Sequence, residues 1–348
     1  MKKIAIIGHF DEKGKYCDGQ TVKTMNLTNL LTDCSDISIM RVDTHYVRSN
    51  KFKLLFHTLK AVIACKHIFL LVSVNGMKFY LPFFHYLSKV KHCNVYHYII
   101  GSELLEMVKV NPKLVKYLNS LTINWFEYDS GTEYLQSQGV VNVSTLPNFK
   151  ILSPVEEPIV CNQNSGVFRF CTFSRVMEEK GITEAIEAVS AINHEKGRIC
   201  ATLDIYGQIE PCYQTKLNEL LSTNPTCVAY KGVVDSQKSV DILKNYYALL
   251  FPTKWVGEGF PGTIVDAFAA GIPVIASDWN ANKEIVHNDE QGIIYPNDKV
   301  QTLKEAIEYS LKETKTMAEM RKKSREEFER YAPDGVLRVI LKTMNENA

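Results

Sequence analysis

The sequence predicts an α/β fold made of two doubly wound, Rossmann-like domains facing each other across a cleft, and three observations predict it. Strand-type and helix-type patterns alternate from the first residues to about residue 146. The alternation stops in a proline-rich polar stretch, SPVEEPIVCNQNSG, and starts again at Phe168. The chain has 348 residues, enough for two domains of about 150 residues each.

The elements follow in order. Residues 3–10, KIAIIGHF, are a short apolar run of the kind a buried strand shows. Residues 21–34 carry Val22, Met25, Leu27, Leu30 and Leu31 at helical spacing, and 37–42 form the next strand. A helix at 52–65, a strand at 68–73, a helix at 79–91 and a strand at 95–101 repeat the pattern. A helix at 104–118, a strand at 122–128, a helix at 131–138 and a short strand at 142–146 complete the first domain. Residues 148–165 have no periodicity and read as linker. Beyond it come strand 168–175, helix 182–194, strand 202–206, helix 213–222, strand 228–230, helix 240–246 and strand 248–251. A loop with Gly257, Gly259 and Gly262, a helix carrying Asp266, and a strand at 274–276 follow; Gly271 and Pro273 end that helix. A strand at 292–295 and helices at 300–315, 317–331 and 335–345 finish the chain. The expected domains are 1–155, on the acceptor side, and 156–334, with the segment 335–348 free to pack back onto the first.

Composition narrows the class. With 45% hydrophobic and 23% charged residues the chain reads as a soluble globular protein. The most apolar stretch, 61–74, is interrupted by Lys66 and His67, short of the ~18 apolar residues a spanning helix needs. MKKIAIIGHF runs into Asp11 and Glu12, so it reads as a first strand and not as a signal peptide. Nine scattered cysteines without a C-x-x-C pair point to reduced thiols and a cytoplasmic location, and no histidine grouping suggests a metal. The net charge of +1 hides an asymmetry: residues 1–155 carry 18 Lys and Arg against 11 Asp and Glu, the remainder 22 against 28. A basic front half fits an anionic partner or, equally, a solvated basic face.

The chemistry points to residues 248–286, ALLFPTKWVGEGFPGTIVDAFAAGIPVIASDWNANKEIV. A strand, a glycine-rich loop and a helix start aim backbone N–H groups and a positive helix end at one place, which suits a phosphate, with Gly262 and Thr263 at the helix start. After strand 168–173 the sequence SRVMEEKG sets Arg175 and Lys180 where both cations can converge above the sheet. Taken alone they suit surface salt bridges; a shared sheet edge with the Glu258 loop changes that. In the front half, the loop after the first strand contains Gly8, Gly14 and Gly19 and ends near Gln20, which suits an anionic or hydroxyl-rich acceptor or else a plain connection.

SRVMEEKG, DIYGQ at 204–208 and EGFPGTIVDAFAAGIPVIASD together resemble the donor-site motifs of retaining glycosyltransferases of family 4, the glycosyl transferases group 1, which have the GT-B fold. TLPNF at 145–149 is similar to the passage into that family's linker. The resemblance implies that Arg175 and Lys180 bind the diphosphate of a nucleotide sugar, that Glu258 binds donor-sugar hydroxyls, and that Asp266 binds the ribose. Ser174, Gly207, Gly259, Phe260, Gly262 and Thr263 fall in the same donor-site motifs, and Gly19, Gln20, Gly101 and Ser102 in acceptor-side loops. It implies a hexosyltransferase moving a sugar from a UDP- or GDP-sugar to a saccharide, lipid-linked acceptor in bacterial capsule, O-antigen or exopolysaccharide synthesis. No D-x-D occurs in the chain, so no metal and no cofactor are expected beyond the co-substrate. Two positions depart from the pattern. Asp266 is one methylene shorter than the usual glutamate, and Gly101-Ser102 stands at the strand end where many members carry a histidine, leaving His97 inside the strand as a core residue.

Other readings stay open. Gly257-Glu-Gly259-Phe-Pro-Gly262 also satisfies G-x-G-x-x-G, so an NAD-dependent oxidoreductase remains a rival, although the motif comes late in its domain. A sugar-nucleotide epimerase or phosphorylase of the same fold, and a catalytically silent nucleotide-binding subunit, are the others. Two basic-aromatic segments, KFKLLFHTLKAVIACK and KFYLPFFHYLSKVK, suit peripheral contact with an anionic membrane. The first is expected to face the core, and the second, with Lys78, Lys89 and Lys91, to face lipid.

Overall fold

In a computed structural model the described residues are 2–10, 19–45, 50–90, 93–159, 166–297 and 299–347. Gly14, Cys17, Lys91 and Cys161 lie outside them.

The first unit is built on β1 (Lys2–Gly8), β2 (Ile37–Asp43), β3 (His67–Leu70), β4 (Asn94–Tyr98), β5 (Ile123–Phe126) and β6 (Val143–Thr145). All pairings are parallel, in the order β2-β1-β3-β4-β5-β6. Parallel neighbours need a crossover between them, and the helices supply it: α1 (Gly19–Thr32), α2 (Lys51–Ala64), α3 (Val74–Leu87), α4 (Glu103–Val110), α5 (Lys113–Leu118) and α6 (Asp129–Ser137). The single helix expected at 104–118 is two. Pro112 cannot continue a helix, and Asn111 before it takes φ −133°, ψ 86°. Helix α2 is capped by Asn50, whose Oδ1 accepts from the Lys53 amide at 3.0 Å. Its expected core-facing role is half met. Leu54, Thr58, Ala61 and Val62 are buried, whereas Phe52, Phe56 and Ile63 stand in solvent. Helix α3 buries more than expected, including Met77, Tyr80, Leu81 and Phe84.

The second unit repeats the plan with β7 (Phe168–Phe173), β8 (Ala201–Tyr206), β9 (Val228–Gly232), β10 (Ala248–Phe251), β11 (Val274–Ser277) and β12 (Gly292–Tyr295) in the parallel order β12-β11-β10-β7-β8-β9. Its helices are α7 (Ile182–Lys196), α8 (Gln214–Thr223), α9 (Ser239–Leu243), α10 (Gly262–Ala269), α11 (Asn282–Ile285), α12 (Val300–Lys312) and α13 (Thr314–Glu327). Ile186, Val189 and Ile192 of α7 pack with Leu203, Leu250 and Ile275 of the sheet and with Leu303 and Ile307 of α12.

The units change at 151/152 and 330/331, a few residues before each expected boundary. The reason is local bonding. The Val155 amide donates to the Ala269 carbonyl at 2.9 Å, and Arg325 Nε donates to the Val155 carbonyl at 2.6 Å, so this stretch belongs with the second unit. The last helix, α14 (Pro333–Glu346), belongs to the first unit: Val336, Ile340 and Met344 are buried in one cluster with Ile4, Ile6, Leu27 and Trp125. Lys2 Nζ and Asn345 Oδ1, 343 residues apart, meet at 2.5 Å.

His97 is fully buried in β4, where its Nδ1 hydrogen bonds Asn124 Oδ1 at 3.0 Å while Nε2 has no partner among the described residues. Burial lowers its pKa to about 4, the Asn124 bond opposing and Lys23 adding to the shift.

Two outcomes follow from this packing. Ile340→Ala should cost about 2–5 kcal/mol, read as a loss of urea stability in the first unit. For His97, the folded pKa lies below the unfolded value of about 6.5, so the unfolded chain binds the extra proton between these values. Stability is complete above about pH 6.5 and falls towards pH 4, by about 3 kcal/mol for this group. His97→Gln should flatten that part of the urea stability–pH curve.

Candidate active site

The order of the second sheet makes β7 and β10 neighbours, and because they are parallel the loops that follow them leave the same edge. The two loops are clamped together. The Lys254 amide donates to the Glu179 carbonyl at 2.7 Å. Gly181, at φ +71°, lies so close to Pro252 that a Cβ there would sit 2.1 Å from its carbonyl oxygen. Only glycine fits this approach. The short turn Glu178–Lys180 ahead of α7 thereby directs Lys180 at the β10 loop.

Lys180 and Glu258 meet there. Lys180 Nζ is hydrogen bonded to Glu258 Oε2, and both side chains are buried. Thr253 Oγ1 donates to the same oxygen at 2.9 Å. The loop is braced behind: Asn280 Nδ2 donates to the Glu258 carbonyl (2.9 Å), Ser277 Oγ to the Thr253 carbonyl (2.7 Å) and Trp279 Nε1 to the Trp255 carbonyl (2.8 Å). The Trp255 ring lies 4.8 Å from Lys180 Nζ and 4.5 Å from the Arg175 guanidinium. Arg175, partly exposed, also pairs with Glu210 at 3.2 Å. Burial lowers the Lys180 pKa; Glu258 opposes the shift and Arg175 adds to it.

The remaining expected donor-side residues divide. Gly262 and Thr263 open α10, and Thr263 Oγ1 is buried with no partner among the described residues. Phe260 is buried in the loop before them. Gly207, at φ +134°, has its Cβ position 1.7 Å from the Ser174 carbonyl oxygen, so this glycine lets the Ser174 loop lie on the end of β8. Asp266 is almost fully buried, and its Oδ1 accepts from Ser239 Oγ, the first residue of α9, at 2.8 Å. The shorter acid thereby ties α10 to the start of α9.

On the first unit, Gln20 Nε2 donates to the Leu71 carbonyl at 3.1 Å, Gly101 takes φ +77° and Ser102 precedes α4. This edge also holds a pair the sequence did not announce. Lys23 Nζ donates to the Ile99 carbonyl (2.8 Å) and to Glu127 Oε1 (2.7 Å), and lies 3.7 Å from the Tyr98 ring. Desolvation lowers the Lys23 pKa against the pull of Glu127, and desolvation followed by the charge of Glu127 raises that of Glu103. Lys23 sits in a helix among polar residues, so no sequence signal marks it as buried. Trp255, Thr253 and Asn280 were also missed; Trp255 and Thr253 lie in the loop already singled out.

Residues 159–327 match the model for glycosyl transferases group 1. The carboxyl-terminal unit belongs to that family. Over 160 residues the chain is 24% identical to the amylovoran biosynthesis glycosyltransferase AmsK of Erwinia amylovora, which covers 45% of this chain and 37% of the relative. Over 242 residues it is 25% identical to the capsular polysaccharide biosynthesis glycosyltransferase CapM of Staphylococcus aureus, covering 68% and 57%. The chain therefore spans between about a third and about three-fifths of these curated relatives. Anabaena Alr3699/HepE, solved in complex with UDP, matches 99% of this chain and 100% of its own with a TM-score of 0.75 at 13% identity. That likeness shows the fold, two six-stranded parallel sheets with surrounding helices, as in GT-B glycosyltransferases. In this group 1 unit the G-x-G-x-x-G match follows β10, well inside the domain, and does not open its first strand.

Removing one member of the buried pair should be costly. Lys180→Met strands the Glu258 carboxylate and is expected to cost about 3–5 kcal/mol in urea unfolding, much of it recovered in Lys180→Met/Glu258→Gln.

Proposed function

We propose that this protein is a retaining, metal-independent glycosyltransferase that moves a hexose from a UDP-sugar to a lipid-linked saccharide in bacterial surface-polysaccharide synthesis. The observation that carries the reading is the junction of Lys180, Glu258, Thr253 and Trp255 beside Arg175, on adjacent strand ends of a group 1 unit. The names of AmsK and CapM support the polysaccharide context, and UDP in the HepE complex supports the nucleotide.

The residues suit that chemistry. Breaking the anomeric bond builds negative charge on the departing diphosphate, which fixed donors stabilise. Lys180 has three N–H donors and spends one on Glu258, leaving others for phosphate oxygens. Both side-chain hydrogen bonds to Glu258 fall on Oε2, which leaves Oε1 for a donor-sugar hydroxyl. The first amides of α10 and the Thr263 hydroxyl offer a further set of donors for the anion. Asp266, whose Oδ1 accepts from Ser239 Oγ, is the acid assigned to the donor ribose.

In a thermal-shift panel, UDP and its sugars should stabilise the chain and GDP, ADP and TDP should not, because only a ligand of the folded state raises the midpoint. Arg175→Ala, which leaves no buried charge unpaired, should lower kcat by about a hundredfold, near 3 kcal/mol. Transfer that is lost in EDTA and restored by magnesium or manganese would overturn the metal-free mechanism, and an inverted anomeric product would overturn retention.

A further inference from the structure

Helix α2 is apolar on two sides, and among the described residues only one of them is buried. At about 100° per residue, Leu54, Thr58, Ala61 and Val62 form one stripe, and these four are buried. Phe52, Leu55, Phe56, Leu59 and Ile63 form a second stripe about 100° wide, adjoining the first and turned away from it by about 120°. They are 86%, 39%, 64%, 41% and 76% exposed. Lys53 and Lys60 border this stripe on its far flank, Lys51 stands at the first position of the helix, and all three are exposed. Thr58 Oγ1 lies 3.1 Å from Tyr80 OH, which joins α2 to α3, and α3 adds exposed Phe79, Tyr86 and Lys78.

Charge identifies the occupant. Between Asp43 and Glu103 the sequence has no acidic residue, while Arg48, Lys51, Lys53, Lys60, Lys66, Lys78, Lys89 and Lys91 fall in that interval. A second copy of the chain docked face to face on α2 would set these lysines against their own equivalents, with no carboxylate on the helix to pair them. A bilayer with anionic head groups meets both halves of the pattern, receiving the aromatic and aliphatic stripe at the acyl boundary while its phosphates face the lysines. We infer that the outward face of α2, extended by Lys78 and Phe79 of α3, is a docking surface for an anionic lipid bilayer. This rests on the reading above only in that a lipid-linked acceptor gives the docking its purpose.

The test is flotation of the full chain with vesicles of phosphatidylcholine alone or of phosphatidylcholine with phosphatidylglycerol. The chain should float with the anionic vesicles, weakly or not at all with the neutral ones, and less in high salt. Replacing Lys51, Lys53 and Lys60 by Gln should weaken binding by roughly a hundredfold. Phe52→Ser/Phe56→Ser/Ile63→Ser should weaken it by at least about tenfold. All six side chains are exposed, so both variants should keep the thermal midpoint and its response to UDP. Vesicle binding without a UDP response would sink the proposed donor and leave the docking surface standing. A UDP response without binding to anionic vesicles, binding that neither variant weakens, or a dimer in light scattering that the Phe52 variant dissociates without any vesicle binding would overturn the docking surface.

Discussion

The buried contact between Lys180 and Glu258 is the constraint on which the second unit's working edge depends. Neither residue is near the other in sequence, and neither belongs inside a protein unpaired: an isolated buried charge costs several kcal/mol. The contact therefore requires the β7 and β10 loops to be in register, and the register is fixed by pieces that carry no charge. Gly181 allows the approach, the Lys254 amide and Glu179 carbonyl close it, and Thr253, Ser277 and Asn280 hold the acid's own loop in shape. The acid and the lysine are thus held by hydrogen bonds on several sides within the unit itself.

The pair also divides labour. Lys180 is held down by burial in a way that eases loss of its proton, and the carboxylate beside it works in the other direction. Arg175 sits outside this compromise, partly exposed and stacked on Trp255, with its guanidinium free of any deep burial. One cation is fixed inside the fold and the other stands partly exposed at its rim.

Much of the fold was legible because a parallel sheet writes itself into sequence as apolar runs separated by helical spacing, and both six-stranded sheets appear where that alternation runs. The site's poles were legible too, since Arg175, Lys180 and Glu258 stand in ordered motifs at strand ends. What escaped depends on tertiary partners. Lys23 looks like a solvated helix residue until Glu127, the Ile99 carbonyl and the Tyr98 ring close over it. The hydrogen bond of Asp266 to Ser239 likewise appears only once α9 and α10 are packed together. The second apolar stripe of α2 could not be told from a core stripe, because periodicity reports that a face is apolar and is silent on what covers it. Pro112 is the opposite case, a local breaker that divides the helix at 104–118 and is visible in the sequence itself.

Helix α14 has a consequence for biogenesis. The first sheet is made early on the ribosome, yet its hydrophobic cluster is completed by Val336, Ile340 and Met344, and Lys2 finds its partner Asn345 only after more than 300 residues have been added. The second unit, Leu152–Arg330, is a continuous segment and is able to close on its own contacts in the meantime. Within this stretch of chain the first unit is completed only after the whole of the second has been made. During that interval the apolar floor under α14 is open, a window in which a nascent chain is vulnerable to aggregation and to chaperone capture.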